Sequence, residues 1–108
     1  MKLAMAIGSG QSGFIFNQQG ITQNVPPSSG VYALYNDLLW VYIGESNDIQ
    51  RRLRDHLQNP EMCVRATAPT AFLFELSPEA QRVARQQVLI ARLGPVCNQG
   101  IGSDQFRR

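Results

Sequence analysis

The sequence lacks any long apolar run and has few cysteines, and both absences narrow the kinds of protein it can encode. The run from Met1 to Ile7 is too short for the apolar segment of a signal peptide, and no later run approaches the length of a membrane span. The two cysteines, Cys63 and Cys97, have neither the spacing of a metal site nor a secretory context. We therefore expect a cytoplasmic protein that does not contact membranes, with both cysteines as reduced thiols.

The composition is that of one soluble domain, with 108 residues, 44% hydrophobic and 17% charged. A net charge of +2 says little about partners. The arginines are clustered, at Arg51, Arg52, Arg54 and Arg65 and again at Arg82, Arg85 and Arg92. Such clusters are only a weak sign of phosphate binding, because solvated helix faces also carry them.

Glycine, proline and apolar patterning divide the chain into three parts. Residues 1–29 are predicted to be an N-terminal arm with at most one edge strand, at Phe14-Ile15-Phe16, and a proline-containing linker. Residues 30–99 form the predicted domain, and residues 100–108 a C-terminal tail. Within the domain, strands are predicted at 31–35, 38–43 and 71–76, with Asn36-Asp37 as the turn of a hairpin.

Two helices complete the predicted domain, which is therefore α+β with a small three-stranded antiparallel sheet flanked by helices. The first helix begins after Ser46 or Asn47 and ends near Gln58, and the second runs from Ser77-Pro78-Glu79 to Gly94-Pro95. The predicted core stripe of the first helix is Ile49, Leu53 and Leu57, with Arg52 and His56 beside it. The predicted stripe of the second is Ala80, Val83, Ala84, Val88, Ile90 and Ala91, with Gln86 at its edge and Arg85 and Arg92 in solvent.

Two tyrosines lie at ends of the predicted hairpin, in Gly30-Val31-Tyr32 and Tyr42-Ile43-Gly44. Paired strand tyrosines are usually half-buried packing residues. Here, however, Arg52 and His56 follow Tyr42 by ten and fourteen residues, and the helix places them one turn apart. Pro95 and Asn98 come after the second helix.

This ordered set, over roughly residues 26–99, resembles the GIY-YIG nuclease superfamily. The resemblance implies metal-assisted hydrolysis of a nucleic-acid phosphodiester, with Tyr32, Tyr42, Arg52 and His56 as catalytic residues. Tyr32 would take a proton from the attacking water, which requires a nearby cation to lower its pKa. Arg52 would supply that cation or hold the phosphate. Gly44 and Asn98 would help to bind the substrate or anchor the site.

The resemblance also implies a Mg²⁺ or Mn²⁺ ion, held by a glutamate twelve residues before the asparagine. In this sequence that position is Gln86, which carries no charge and is a poorer ligand for a hard cation. Three explanations are open. Cleavage has been lost while phosphate binding remains, or Glu45 or Glu79 substitutes for the glutamate, or the chain is an engineered inactive variant.

The predicted function is action on nucleic acid, with DNA favoured, by metal-dependent endonuclease chemistry that is weakened or lost through Gln86. The alternatives are a catalytically inactive DNA- or RNA-binding module and a protein-interaction adaptor on the same fold. No separate recognition domain is evident, so a partner protein or a second copy of the chain is expected to supply specificity.

Overall fold

The computed structural model describes residue 7 and residues 12–98. The predicted tail at 100–108 and part of the predicted arm lie outside these residues. The elements in chain order are β1 (Phe14–Ile15), α1 (Gln18–Asn24), β2 (Gly30–Tyr35), β3 (Trp40–Ser46), α2 (Ile49–Gln58), α3 (Met62–Thr67), β4 (Ala71–Leu76) and α4 (Glu79–Leu93). No helix in the described part of the chain is long and apolar enough to cross a membrane.

The sheet is antiparallel throughout and has the strand order β1-β4-β2-β3. This confirms the predicted α+β class with helices flanking an antiparallel sheet. The three expected strands are joined by β1, where Phe14 pairs with Phe72 of β4. The arm also contains a helix that was not predicted, α1, whose first turn is capped by the Asn17 side chain.

The turn of the hairpin is longer than predicted, because β3 begins at Trp40 rather than at residue 38. The Asn36 side chain accepts hydrogen bonds at 2.9 Å from the backbone N–H groups of both Leu38 and Leu39. These two leucines therefore belong to the turn, and Leu38 is 88% exposed. A local bond from an asparagine side chain outweighed the strand-forming tendency of the apolar run.

Helices cover both faces of the sheet. On one face α1, α2 and α3 pack against the sheet around Leu34, Ile49, Leu53 and Phe72, which are fully buried. On the other face α4 packs through Leu89 against a second buried cluster that includes Val31 and Ile43. Alternate residues of β2 and β3 thus contribute to different layers, as side-chain alternation along a strand requires.

The predicted core stripe of α4 was wrong except at Ile90, which packs against the second buried cluster. Leu89 is the buried residue of this helix, whereas Val83 and Val88 are about half exposed, at 49% and 48%. Arg85, expected in solvent, is partly buried and pairs with both carboxylate oxygens of Glu75 at 2.7 and 2.9 Å. Alanine and valine at helical spacing resembled a core face, but a larger leucine and a partly buried ion pair determine which side of α4 meets the sheet.

The prediction of two reduced thiols was also wrong, because Cys63 and Cys97 form a disulfide. The bond joins α3, a helix missed by the sequence prediction, to the segment that follows α4. Cys63 is exposed and Cys97 is buried. The spacing of 34 residues gave no indication of this pairing, since only the fold brings the two Cα atoms to 5.7 Å.

Candidate active site

Tyr32 lies at the centre of the site and is fully buried. Its hydroxyl is 2.6 Å from Nε2 of His56, which projects from α2 one turn after Arg52. The ring centroids of Tyr42 and His56 are 5.1 Å apart, and those of Tyr32 and Tyr42 are 6.2 Å apart. Strand β2, strand β3 and helix α2 thus bring three of the predicted catalytic side chains into contact.

Gly44 faces Tyr32 across the sheet, as its partner in the β2–β3 register. A Cβ atom at Gly44 would collide with the hydroxyl and Cζ of Tyr32. Glycine at this position therefore makes room for the tyrosine ring, which is a packing reason for the third residue of Tyr42-Ile43-Gly44. A role for Gly44 in substrate binding stays a prediction.

Arg52 lies beside the tyrosines, and its side chain is 42% exposed. Its guanidinium is 3.8 Å from a carboxylate oxygen of Asp55 on the next turn of α2, too distant for a strong pair. Arg52 also borders a small cleft at the start of α2 with Ser46, Asn47, Asp48 and Arg51. The Arg52 guanidinium therefore lies between the buried Tyr32 and solvent, where an anion has access to it.

The burial of the site governs its protonation. Burial raises the pKa of Tyr32 well above its usual value of 10, and the nearby positive charge of Arg52 opposes this rise without cancelling it. The pKa of Tyr42 is raised by burial in the same way. Burial, assisted by Arg52, lowers the pKa of His56 to about 4. At neutral pH both phenols are therefore protonated and the imidazole is neutral.

Ile43, in the middle of β3, is held by two amide side chains. Asn98 pairs with its backbone in both directions, accepting from the N–H at 2.7 Å and donating to the carbonyl at 2.9 Å. Nε2 of Gln86, on α4, donates to the same carbonyl at 3.2 Å. Gln86 and Asn98 thus act on the free edge of β3, next to Tyr42 and Gly44, rather than beside the Tyr32 hydroxyl.

The carboxylates expected as alternative metal ligands are placed elsewhere. Glu45 accepts a hydrogen bond from Nε of Arg82 at 2.6 Å, and both side chains are largely buried. Glu79 is exposed at the start of α4. In the part of the chain that the structure describes, no group of three or more histidine, cysteine or acidic side chains is arranged to hold a metal ion. Mg²⁺ is usually held by one or two carboxylates together with waters and substrate phosphates. At the position where the resemblance implies such a carboxylate, Gln86 offers an uncharged amide, which is a poorer ligand for a hard cation.

Glu61 is a residue near the site that the sequence prediction missed. It is exposed at the start of α3, and its negative charge contributes to the raised pKa of both Tyr32 and Tyr42. Asn59-Pro60 predicts the end of a helix, but no residue pattern indicates that the chain turns back to the site directly afterwards. Glu61 is therefore a nearby carboxylate without an ion pair among the described residues.

Comparison with known proteins agrees with this geometry. The family model of the GIY-YIG catalytic domain matches residues 28–76. None of the curated proteins matches the chain significantly.

Several solved structures share the fold, including the GIY-YIG N-terminal endonuclease domain of UvrC from Thermotoga maritima bound to magnesium, its catalytic divalent cation. That structure is 24% identical, with a TM-score of 0.57, and the match covers 69% of this chain and 91% of that chain. A tyrosine-to-phenylalanine mutant of the same domain is 22% identical, with a TM-score of 0.58 and coverage of 69% and 90%. Residues 28–76 therefore match the GIY-YIG catalytic domain, and the chain has the fold of the GIY-YIG endonuclease domains.

Proposed function

We propose that the chain is a GIY-YIG domain that binds nucleic-acid phosphodiesters, with metal-dependent cleavage weakened or lost. The observation that carries the proposal is the buried hydrogen bond between Tyr32 and His56, with the half-exposed Arg52 beside it. This arrangement retains a cation and hydrogen-bond donors for a phosphate. At the position implied for the metal-binding carboxylate it has the uncharged Gln86.

Arg52 and Tyr42 are the residues proposed to contact the phosphate. The guanidinium offers a planar set of N–H donors that suits two phosphate oxygens. Tyr42 stays protonated at neutral pH, since burial raises its pKa, so its hydroxyl donates a hydrogen bond to an anion. These contacts reach the backbone of the nucleic acid and not its bases, so they bind DNA of any sequence with similar strength.

Tyr32 is poorly suited to take a proton from water in this site. Removing its proton would leave a buried phenolate, which the raised pKa shows to be unfavourable. When the imidazole carries its hydrogen on Nδ1, the Tyr32 hydroxyl donates to Nε2 of His56. In this state the hydrogen bond holds β2 against α2 and keeps the His56 imidazole neutral.

The resemblance implies that Gln86, twelve residues before Asn98, stands where the family has a metal-binding glutamate. Its amide nitrogen is bonded to the Ile43 carbonyl, so the side chain contributes to the strand edge. A divalent ion, in relatives that bind one, neutralises charge on the phosphate and the leaving oxygen.

A cleavage assay on single- and double-stranded DNA with Mg²⁺ and then Mn²⁺ tests the proposal. We expect salt-dependent binding and little or no cleavage by the parent, and more metal-dependent cleavage by Gln86→Glu if the rest of the site is competent. Vigorous cleavage by the parent would contradict the loss of metal binding. Glu45→Gln and Glu61→Gln would then identify the carboxylate responsible.

A protein-interaction adaptor is the second candidate, and the half-exposed Val83 and Val88 on α4 favour it. Under that function the chain would bind nucleic acid equally weakly at low and high salt. The titration described in the Discussion separates the two functions.

A further inference from the structure

His56 also borders a cavity whose lining includes neither Tyr32 nor Tyr42. It has a volume of about 170 Å³ and opens to solvent. Its walls come from the turn after β1, the end of α2, and α3 with the residues that follow. The side chains that matter for its chemistry are Phe16, Pro60, Val64, Arg65 and Pro69.

We propose that this cavity binds one unpaired nucleobase of the strand whose phosphate is held by Tyr42 and Arg52. The inference rests on the proposed nucleic-acid function and adds to it a substrate class: a single strand, or a duplex from which one base has left the stack.

The chemistry of the walls suits a planar aromatic ring. Phe16 is partly buried and offers a ring face or edge, while the prolines and Val64 supply apolar surface. Bases stack on aromatic side chains largely independently of their identity, because every base has a π-face. Arg65 is exposed at the rim, where its charge attracts the sugar–phosphate backbone that must accompany a base.

The size of the cavity selects a single ring system. A protein cavity of roughly 150 Å³ holds one benzene molecule. The space beside His56 is similar, at about 170 Å³. One base therefore enters, with its outer edge in the open mouth, whereas a stacked base pair does not fit. A base inside a duplex would have to leave its stack, which costs a few kcal/mol unless it is already unpaired.

The position of the cavity connects it to the phosphate site. His56 forms part of the wall, and its ring also contacts Tyr42 at a centroid distance of 5.1 Å and bonds the Tyr32 hydroxyl. His56 is therefore shared by the cavity and by the contacts of the two tyrosines. A nucleotide whose phosphate lies at Tyr42 can therefore place a neighbouring base beyond His56.

The walls are also fixed before any ligand arrives. The Cys63–Cys97 disulfide holds α3 against the domain, and Val64 of that helix is buried. Ala68 ends α3 in the left-handed conformation, with φ of 57°, and turns the chain towards Pro69. A preformed site avoids the cost of ordering its side chains on binding.

Fluorescence anisotropy with a labelled ten-nucleotide DNA strand tests the proposal. Three labelled probes are compared: the strand, its duplex, and the strand with abasic residues throughout. Competition with unlabelled DNA checks that the label does not cause the binding. We expect the strand to bind more tightly than the duplex, and the abasic strand, which keeps all its phosphates, to bind between about 5-fold and about 100-fold more weakly than the normal strand.

Protein variants locate the effect. Phe16→Leu keeps the apolar contact but removes the ring, so it should weaken binding of the normal strand and leave the abasic strand unchanged. Arg92→Ala, which removes an exposed charge on α4, is the matched control and should affect both strands equally. Thermal melting of each variant verifies that it is folded.

The outcomes distinguish this inference from the proposed function. Salt-dependent binding with equal affinity for normal and abasic strands, unaffected by Phe16→Leu, would overturn the base site and leave phosphate binding intact. An absence of binding to every probe would overturn both. Loss of affinity for the abasic strand without any effect of Phe16→Leu would place base recognition elsewhere and reject this cavity.

Discussion

The hydroxyl of Tyr32 lies 2.6 Å from Nε2 of His56 in the interior of the domain. Burial therefore disfavours the charged form of both side chains. His56 is the only histidine in the sequence. Its pKa is lowered from 6.5 to about 4 by burial and by Arg52. The unfolded chain therefore binds a proton between these pH values that the folded chain does not.

This difference predicts that stability is fully present above pH 6.5 and declines as the pH falls towards 4. Between pH 7.5 and pH 5 the free energy of unfolding should drop by about 2 kcal/mol from this group alone. Urea denaturation at the two pH values measures the drop. His56→Gln can still accept from the Tyr32 hydroxyl but does not titrate, so its smaller drop gives the contribution of the acidic groups. An equal drop in both proteins would show that His56 is not buried in its neutral form.

Arg52→Ala should weaken binding to DNA and lower its dependence on salt. A charge-assisted hydrogen bond contributes about 1.5–3 kcal/mol, which corresponds to a loss of roughly tenfold or more. The slope of log affinity against log salt should decrease by about one, the value for a single phosphate contact. Anisotropy titrations at 50 and 200 mM salt give both quantities. Arg92→Ala is again the control, and an equal change in that variant would mean that only net charge matters.

Gln86→Glu should destabilise the metal-free protein more than Gln86→Met does. Methionine removes one donor to the Ile43 carbonyl and leaves Asn98 in place, a loss of roughly 0.5–1.5 kcal/mol. Glutamate instead places a negative charge against that carbonyl, which costs about 1–3 kcal/mol. Chemical denaturation measures both changes, and Gln87→Glu, one residue along on the exposed side of α4, is the control for charge. If Mn²⁺ binds the glutamate variant, it should restore stability by binding the folded state. Equal stabilities for all three variants would mean that the bond to Ile43 contributes nothing.

Reduction of the disulfide should lower stability without changing the fold. Closing a loop over the 34-residue separation of Cys63 and Cys97 restricts the unfolded chain by roughly 4 kcal/mol in the chain-entropy estimate. Denaturation with and without dithiothreitol measures the difference. The Cys63→Ser, Cys97→Ser double variant should match the reduced parent and show no response to the reductant. A parent indifferent to reduction would indicate that the bond does not form in solution.

The sequence predicted the elements whose signals are local. The core stripe of α2, the hairpin, β4 and the glycine that ends α4 all depend on residues within a few positions of one another. The predicted cap of α2 was wrong, because Asp48 caps this helix rather than Ser46 or Asn47. Gly94 does adopt the left-handed conformation expected at a helix end, with φ of 61°. The face of α4 was mistaken because its burial is decided by Glu75 and Ile43, which are distant in sequence.

The candidate site was predictable where the motif spacing and helix geometry reinforced each other. Tyr32, Tyr42 and His56 meet because two paired strands and one helical face bring them together. The bond from Gln86 to a backbone carbonyl and the approach of Glu61 depend on how α3 and α4 dock, for which the sequence carries no local signal. The direction of the Tyr32 pKa shift was not predictable from the sequence either. Burial raises this pKa more than the nearby Arg52 lowers it, and the degree of burial depends on the whole fold.

The amides of Gln86 and Asn98 have a consequence for how the protein behaves in concentrated solution. They satisfy the backbone of Ile43 at the centre of the outer strand β3, while the opposite outer strand, β1, is only two residues long. Exposed strand edges are where chains associate and aggregate. Both edges of this sheet are thus unsuited to the addition of another strand. Loss of the Asn98 side chain would free the Ile43 backbone, and we expect the protein to aggregate more readily as well as to lose the order of the candidate site.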